Sequence, residues 1–217
     1  MILTGRGKAL RAGGDLRELR EQMKINEARR YMDRVNRVTL AIKNIDKPVI
    51  AAVSGATMGS GFSIVMACDL VAASKTAIFS QSFAHVGLIP DLGGTYFSPR
   101  IFGLHRAKEL AFTGRVITVD EMMNLGFVNQ VVVPEELESK ATELAVQIAE
   151  GSLLSTTLTK KLLNKSLDST LEEMLESEAQ YQAICLQSED HMEGVKAFYE
   201  KRKARFKHTD TGNEESL

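Results

Sequence analysis

Val49-Ile50-Ala51-Ala52-Val53, then Ser54-Gly55-Ala56-Thr57-Met58-Gly59-Ser60-Gly61, then Phe62-Ser63-Ile64-Val65-Met66-Ala67-Cys68 form one unbroken stretch. The first five residues are wholly apolar, the composition of a strand covered on both faces. Lys47-Pro48 sets its beginning, because proline disfavours helix in the residue before it. The last seven read as an apolar helix, and the segment between them is a glycine-rich turn. Gly59 and Gly61 flank Ser60, so the Ser60 N–H is expected at or near the start of that helix. Glycine there permits positive φ and close backbone approach. Unpaired N–H groups and the helix dipole favour negative charge at such a point. The turn therefore suits a phosphate or an oxyanion, or equally a tight turn that serves only helix packing. It is neither a Walker A loop nor a full dinucleotide fingerprint.

Working outward, apolar residues Tyr31, Val35, Val38, Ile42 and Ile45 mark an amphipathic helix from about Glu27 to Asn44. Met1–Thr4 reads as a strand that enters a glycine-rich loop, Gly5-Arg6-Gly7-Lys8 and Arg11-Ala12-Gly13-Gly14-Asp15. Downstream, residues 69–73 and 77–80 read as short strands. A third loop, Gly87–Gly94, precedes helical segments near 95–102 and 106–112, and residues 128–133 form the last strand. After Pro134 the pattern is helical almost to Phe206, with turns near Gly151 and Asp168. Alternating strands and helices followed by helices imply an α/β fold with a helical C-terminal part. The expected division is a core over 1–150, a helical region over 151–207 and a disordered polar tail over 208–217.

Lys and Arg total 27 against 28 Asp and Glu, for a net charge of −1. That balance gives no global pull toward nucleic acid or an anionic membrane. Charge is uneven, however, with basic segments over 1–30 and 196–207 around an acidic stretch, Asp168–Glu193. These are solvated helix faces or two basic segments that meet around a phosphorylated ligand. Cys68 and Cys185 imply no disulfide framework, and a cytoplasmic location is expected. His85, His105, His191 and His208 form no close ligand pair, so no metal site is expected. The most apolar run, Gly61–Ala73, contains Asp69 and is too short for a membrane span.

The loops taken together resemble the enoyl-CoA hydratase/isomerase (crotonase) family. Thr4-Gly5-Arg6-Gly7-Lys8-Ala9-Leu10-Arg11-Ala12-Gly13-Gly14-Asp15-Leu16 is similar to that family's T-G-x-G-x-x-F-x-A-G-x-D-L. Lys47–Gly55 resembles K-P-x-I-A-A-V-x-G, and Gly59-Ser60-Gly61 with Ala67-Cys68-Asp69 resembles G-x-G…A-C-D. Gly87–Thr95 is similar to G-L-x-P-x-x-G-G-T, and Glu193–Arg202 to a closing E-G-x-x-A-F-x-E-K-R helix. The resemblance implies a ββα spiral whose C-terminal helices build homotrimers, often paired into hexamers. It implies an acyl-CoA thioester as substrate, coenzyme A entering as part of that substrate and no separate cofactor. The backbone N–H groups of Gly14 and Ser60 would hold the thioester oxygen. Arg6, Lys8, Arg11, Ala12 and Lys201 would neighbour the CoA phosphates or adenine. Relatives usually carry about fifty residues before the first glycine-rich strand, and their absence would bare a sheet edge and apolar core surface.

Departures from the family pattern decide the expected reaction. A hydratase of this family uses two glutamates to position water and move its proton. The first position is occupied here by Ser63, and the second falls in Gln81-Ser82-Phe83. Asp91 remains, in Leu88-Ile89-Pro90-Asp91-Leu92-Gly93-Gly94. Phe83–Asp91 is similar to the phenylacetate-pathway isomerases, and medium-chain Δ3-Δ2-enoyl-CoA isomerases also carry one acid in this loop. A carboxylate among Phe83, Ile89 and Leu92 would be desolvated and a better base. One base that lifts a proton from one carbon and returns it to another can shift a double bond. The expectation is an enoyl-CoA isomerase with Asp91 as its acid/base and Ser63, Phe83, His85 and Gly61 around the acyl group. The alternatives are a hydratase or lyase that places its acid elsewhere, and an acyl-CoA-binding subunit without catalysis. Asp91 could also be a turn residue that caps backbone N–H groups, and His85 a structural histidine.

Overall fold

The computed structural model describes residues 1–5, 7 and 23–207. Strand β1 (Ile2–Thr4) is followed by helix α1 (Ile25–Asn44), β2 (Ile50–Val53), β3 (Ala56–Met58) and α2 (Ser60–Met66). Next come β4 (Leu70–Ser74), β5 (Ile78–Ser80), a 3₁₀ turn over Ser82–Val86, α3 (Gly94–Phe102) and α4 (Leu104–Thr113). Strand β6 (Ile117–Thr118), α5 (Val119–Asn124) and β7 (Gln130–Val132) lead to α6 (Leu137–Ala149), α7 (Leu153–Ser166), α8 (Leu171–Leu186) and α9 (Glu189–Tyr199). Two compact units result, Met1–Ala145 and Val146–Leu217.

In the first unit, one sheet has the order β1-β2-β4-β7 and is parallel throughout. Every residue of β2 is buried, as a strand covered on both faces requires. A second sheet has the order β3-β5-β6, with β3 parallel and β6 antiparallel to β5. Side chains tie the segments between strands to the first sheet. Asp69 Oδ2 accepts from Val49 N at 2.7 Å, and Asn129 Oδ1 accepts from Val71 N at 2.8 Å. The core centres on Phe62, Phe79, Phe102 and Phe127, whose rings pack with centroids 5.4–6.3 Å apart, the tilted and edge-on geometries that aromatic quadrupoles favour.

Three expectations shift. Residues 56–58, read as part of a glycine-rich loop, form β3, and β6 with α5 were not foreseen. On α1, Val38 is 45% exposed, while Thr39 and Ile42 are buried. The expected face otherwise holds, with Val35, Ile42 and Ile45 packed in or against the core; Thr39 takes the place of Val38 because its Oγ1 donates to Leu92 O at 2.9 Å and so enters the core with its hydroxyl satisfied. The last helix ends at Tyr199 rather than near Phe206. Lys201 there takes φ +54°, a left-handed conformation of the kind that closes helices.

The second unit is helical. Ser152, Thr170 and Ser188 each accept from a backbone N–H three residues on and cap α7, α8 and α9. Arg202 grips Glu193 in a fork, Nη1 to Oε1 at 2.6 Å and Nη2 to Oε2 at 2.9 Å, and so fastens the segment after α9 back onto it.

Candidate active site

Parallel strands fix where the first two glycine-rich loops begin. Thr4 is in register with Ala52, and Thr4 Oγ1 donates to Ala52 O at 3.1 Å. Both chains therefore leave the sheet at the same edge, its carboxyl end, where open parallel sheets place their ligands. Ser54 Oγ donates to Gly7 O at 3.5 Å, so the loops still run side by side three residues beyond β1. Gly14, Lys8, Arg11 and Ala12 lie outside the described residues, as does Arg6.

Strand β3 carries the chain to the second turn. Gly59 N donates to Ser80 O at 2.9 Å, continuing the β3–β5 ladder. Gly59 itself adopts φ +51°, ψ −122°, a conformation that is strained for any residue with a side chain. The chain reverses there and α2 starts at Ser60. The Ser60 and Gly61 N–H groups fall in the first turn, where no carbonyl of the same helix lies four residues back. The expected helix-start placement of Ser60 is what the backbone adopts.

The third loop closes against the same helix. A Cβ placed on Gly94 would lie 2.7 Å from Ser63 Oγ and 3.0 Å from Pro90 Cβ, so the start of α3 fits α2 only because residue 94 is glycine. Ser63 is completely buried. Asp91 precedes this contact, its carbonyl accepting from Gly94 N at 2.8 Å, and its Oδ1 is buried. Leu92, at φ +49°, and the buried Thr39–Leu92 bond hold this short segment in place. Phe83 forms a wall of the second turn, its Cζ lying 3.7 Å from where a Gly59 Cβ would be.

Ser60, Gly61, Ser63, Phe83 and the Asp91 loop are thus brought together around α2. Within the first unit, not every expected neighbour joins them. Ile89 is 80% exposed, whereas Phe83 and Leu92 are buried, so Ile89 supplies no buried apolar surface for Asp91. His85 is exposed, with its ring nitrogen Nε2 bonded to Thr113 O at 3.0 Å and its ring packed over Gly114. Lys201 belongs to the second unit and is exposed. Gln81 was not singled out as a site residue, yet it is 1% exposed and neither amide atom has a hydrogen-bond partner among the described residues. Its position one residue beyond β5, level with Gly59, was the available signal. Among the described residues no group of three or more His, Cys, Asp and Glu could hold a metal ion, and no described helix is long and apolar enough to cross a membrane.

Residues 1–209 match the family described as enoyl-CoA hydratase/isomerase. The chain belongs to that family. It is 37% identical over 204 residues to a short-chain-enoyl-CoA hydratase of Clostridium acetobutylicum, covering 94% of this chain and 78% of that protein. It is 34% identical over 213 residues to the 1,2-epoxyphenylacetyl-CoA isomerase of Escherichia coli, covering 95% and 80%. The solved enoyl-CoA hydratase of a Polaromonas species superposes with a TM-score of 0.91 at 32% identity, covering 95% of this chain and 81% of that one. The chain therefore has the crotonase fold and is an enzyme of a family that acts on acyl-CoA thioesters.

Proposed function

We infer that this enoyl-CoA hydratase/isomerase family enzyme shifts a carbon–carbon double bond within an enoyl-CoA, with Asp91 as acid/base. The observation that carries this reading is the meeting of α2 with the Asp91 loop at Gly94. Ser63 stands there in place of a glutamate, and Asp91 is the acid the adjoining loop supplies.

On this reading the Ser60 N–H is one donor to the thioester oxygen, and the family resemblance assigns the second to the N–H of Gly14. Asp91 as carboxylate removes a proton from C2 of a 3-enoyl thioester, and the C2–H electron pair passes into a dienolate whose charge rests on that oxygen. The C3–C4 double bond moves to C2–C3 as the protonated Asp91 delivers the same proton to C4. No atom is gained or lost. One oxyanion donor is worth about 2.7–4 kcal/mol in such a transition state. Asp91→Asn should lower isomerisation of 3-enoyl-CoAs by about a hundredfold or more while CoA-ester binding by calorimetry persists. Unchanged turnover by this variant would remove Asp91 from the chemistry.

A second reading, hydration of a 2-enoyl-CoA, is favoured by relatives whose names denote hydratases. Mass-spectrometric product analysis on 2-enoyl and 3-enoyl-CoAs separates the two, since hydration adds the mass of water and isomerisation does not. Exposed apolar residues of the second unit, among them Leu163, Leu167, Leu171 and Phe198, support assembly into homotrimers or hexamers.

A further inference from the structure

Arg30, Arg34 and Arg37 are exposed on α1, and among the described residues none of them has an ion-pair partner. They follow one another at steps of four and three residues, which puts them on one side of the helix in a stripe roughly 10 Å long. The two carboxylates of α1 are engaged elsewhere. Asp33 Oδ1 meets Arg29 Nε at 3.0 Å, and Glu27 Oε2 accepts from the Lys24 N–H at 3.3 Å. Arginines in other parts of the chain are paired, Arg106 with Glu109 and Arg202 with Glu193. Like charges at steps of three and four repel one another, so the stripe favours an anion brought from outside. Val38 and Ala41 continue the same steps from Arg34, and both are exposed. Val38 offers apolar contact beside the charges, and the small Ala41 lets a second helix approach closely.

We propose that this face of α1 docks an acidic helix of a partner protein. Carboxylates on that helix at matching steps of four and three meet the guanidinium groups, which bind carboxylates in forks, and an apolar side chain between them rests on Val38 and Ala41. A nucleic acid fits less well. Its phosphate backbone rewards a broad basic field, whereas here Glu27 and Asp33 border a single stripe on a chain of net charge −1. On the other side of α1, Thr39 Oγ1 donates to Leu92 O, so the partner sits on the helix that holds the Asp91 loop. Docking at this face is independent of the reaction assigned to Asp91.

Fluorescence anisotropy on the full chain tests it with two labelled peptides of about twenty residues, lactam-bridged because short free helices are marginal in water. One carries glutamate at steps of four and three along a seam of leucine and alanine, and the other carries glutamine at the same places. The expected result at low salt is that the glutamate peptide binds about tenfold more tightly than the glutamine peptide, an advantage that shrinks as salt screens it. Arg34→Glu brings the ratio to about one. Arg29→Glu, which changes the paired arginine outside the stripe, leaves most of it. Both positions are exposed, so both variants should melt close to the parent. Equal affinity of the parent for the two peptides overturns the docking face, and so does an advantage that survives Arg34→Glu or one that Arg29→Glu removes equally. A short DNA duplex that binds the parent more tightly than the glutamate peptide, and loses that binding in Arg34→Glu, overturns the acidic helix in favour of a nucleic acid.

Discussion

At the scale of single residues, Gly59 and Ser60 separate what a backbone does from what a side chain does. The proposed oxyanion donor at position 60 is an N–H, which every residue except proline supplies. Its direction depends on Gly59, at φ +51° and ψ −122°. Space is not the constraint there, since a Cβ on Gly59 would find Ser82 Oγ at 3.6 Å and Phe83 Cζ at 3.7 Å, ordinary contacts. The constraint is the backbone conformation, whose cost with a side chain is on the order of 1–3 kcal/mol. Gly59→Ala is therefore expected to lower kcat by about a hundredfold, the worth of one displaced oxyanion donor. Ser60→Ala keeps the N–H and should lose far less against the same 3-enoyl-CoA. Steady-state kinetics of the two variants decides the point, and a Ser60→Ala loss as large as that of Gly59→Ala would move the function from backbone to hydroxyl.

At the scale of elements, the Asp91 loop is positioned by a helix from an earlier part of the chain. Thr39, on the buried side of α1, donates to Leu92 O at 2.9 Å. Leu92 itself is held at φ +49°, so the loop is strained at one residue and pinned at the same residue. Thr39→Val preserves shape but leaves that buried carbonyl without its donor, at a cost of about 1–3 kcal/mol. Urea unfolding should show this loss, and kcat should fall with KM little changed, because the displaced group is the proposed acid/base and not a CoA contact. A stability loss with no kinetic effect would limit Thr39 to packing. Little of this coupling was legible in the sequence. Apolar spacing placed α1 correctly but chose Val38 for the inner face, since hydrophobicity alone does not reveal a threonine whose hydroxyl finds a carbonyl 53 residues away. The strand Ile50–Val53, the reversal at Gly59 and the helix start at Ser60 were legible, because apolar runs and glycines act locally. Strand β3 was not, as Ala56-Thr57-Met58 is short and sits between glycines. The burial of Gln81 and the exposure of Ile89 depend on contacts distant in sequence, which no local pattern carries.

At the scale of the whole molecule, acidic groups in both units are held ionised by arginines, and this sets the response to pH. In the first unit, hydrogen bonds from Arg115 hold Glu109 and Glu121 below the usual carboxylate range. In the second, the fork from Arg202 and the Arg205 N–H bring Glu193 down to about 2 from an ordinary value of 4.5. A carboxylate whose folded pKa is depressed binds its proton more readily when the chain is unfolded. Its contribution to stability is complete above the unfolded value and is lost as pH falls through the folded one. For Glu193 that window runs from near 4.5 down to about 2. Protonation also removes the near-balance of 27 basic and 28 acidic residues, and the resulting positive charge repels itself and favours expansion. The chain should therefore be flat in stability above about pH 5 and weaken progressively below it. Arg202→Met removes the group that depresses Glu193, so its urea midpoint should lie below the parent's at neutral pH and converge with it as pH approaches 2. High salt at neutral pH should narrow the same gap, since these ion pairs are open to solvent and screened by it. A gap that stays constant from neutral pH into the acid range would show that Arg202 acts through packing of its side chain, with the charge on Glu193 playing no part.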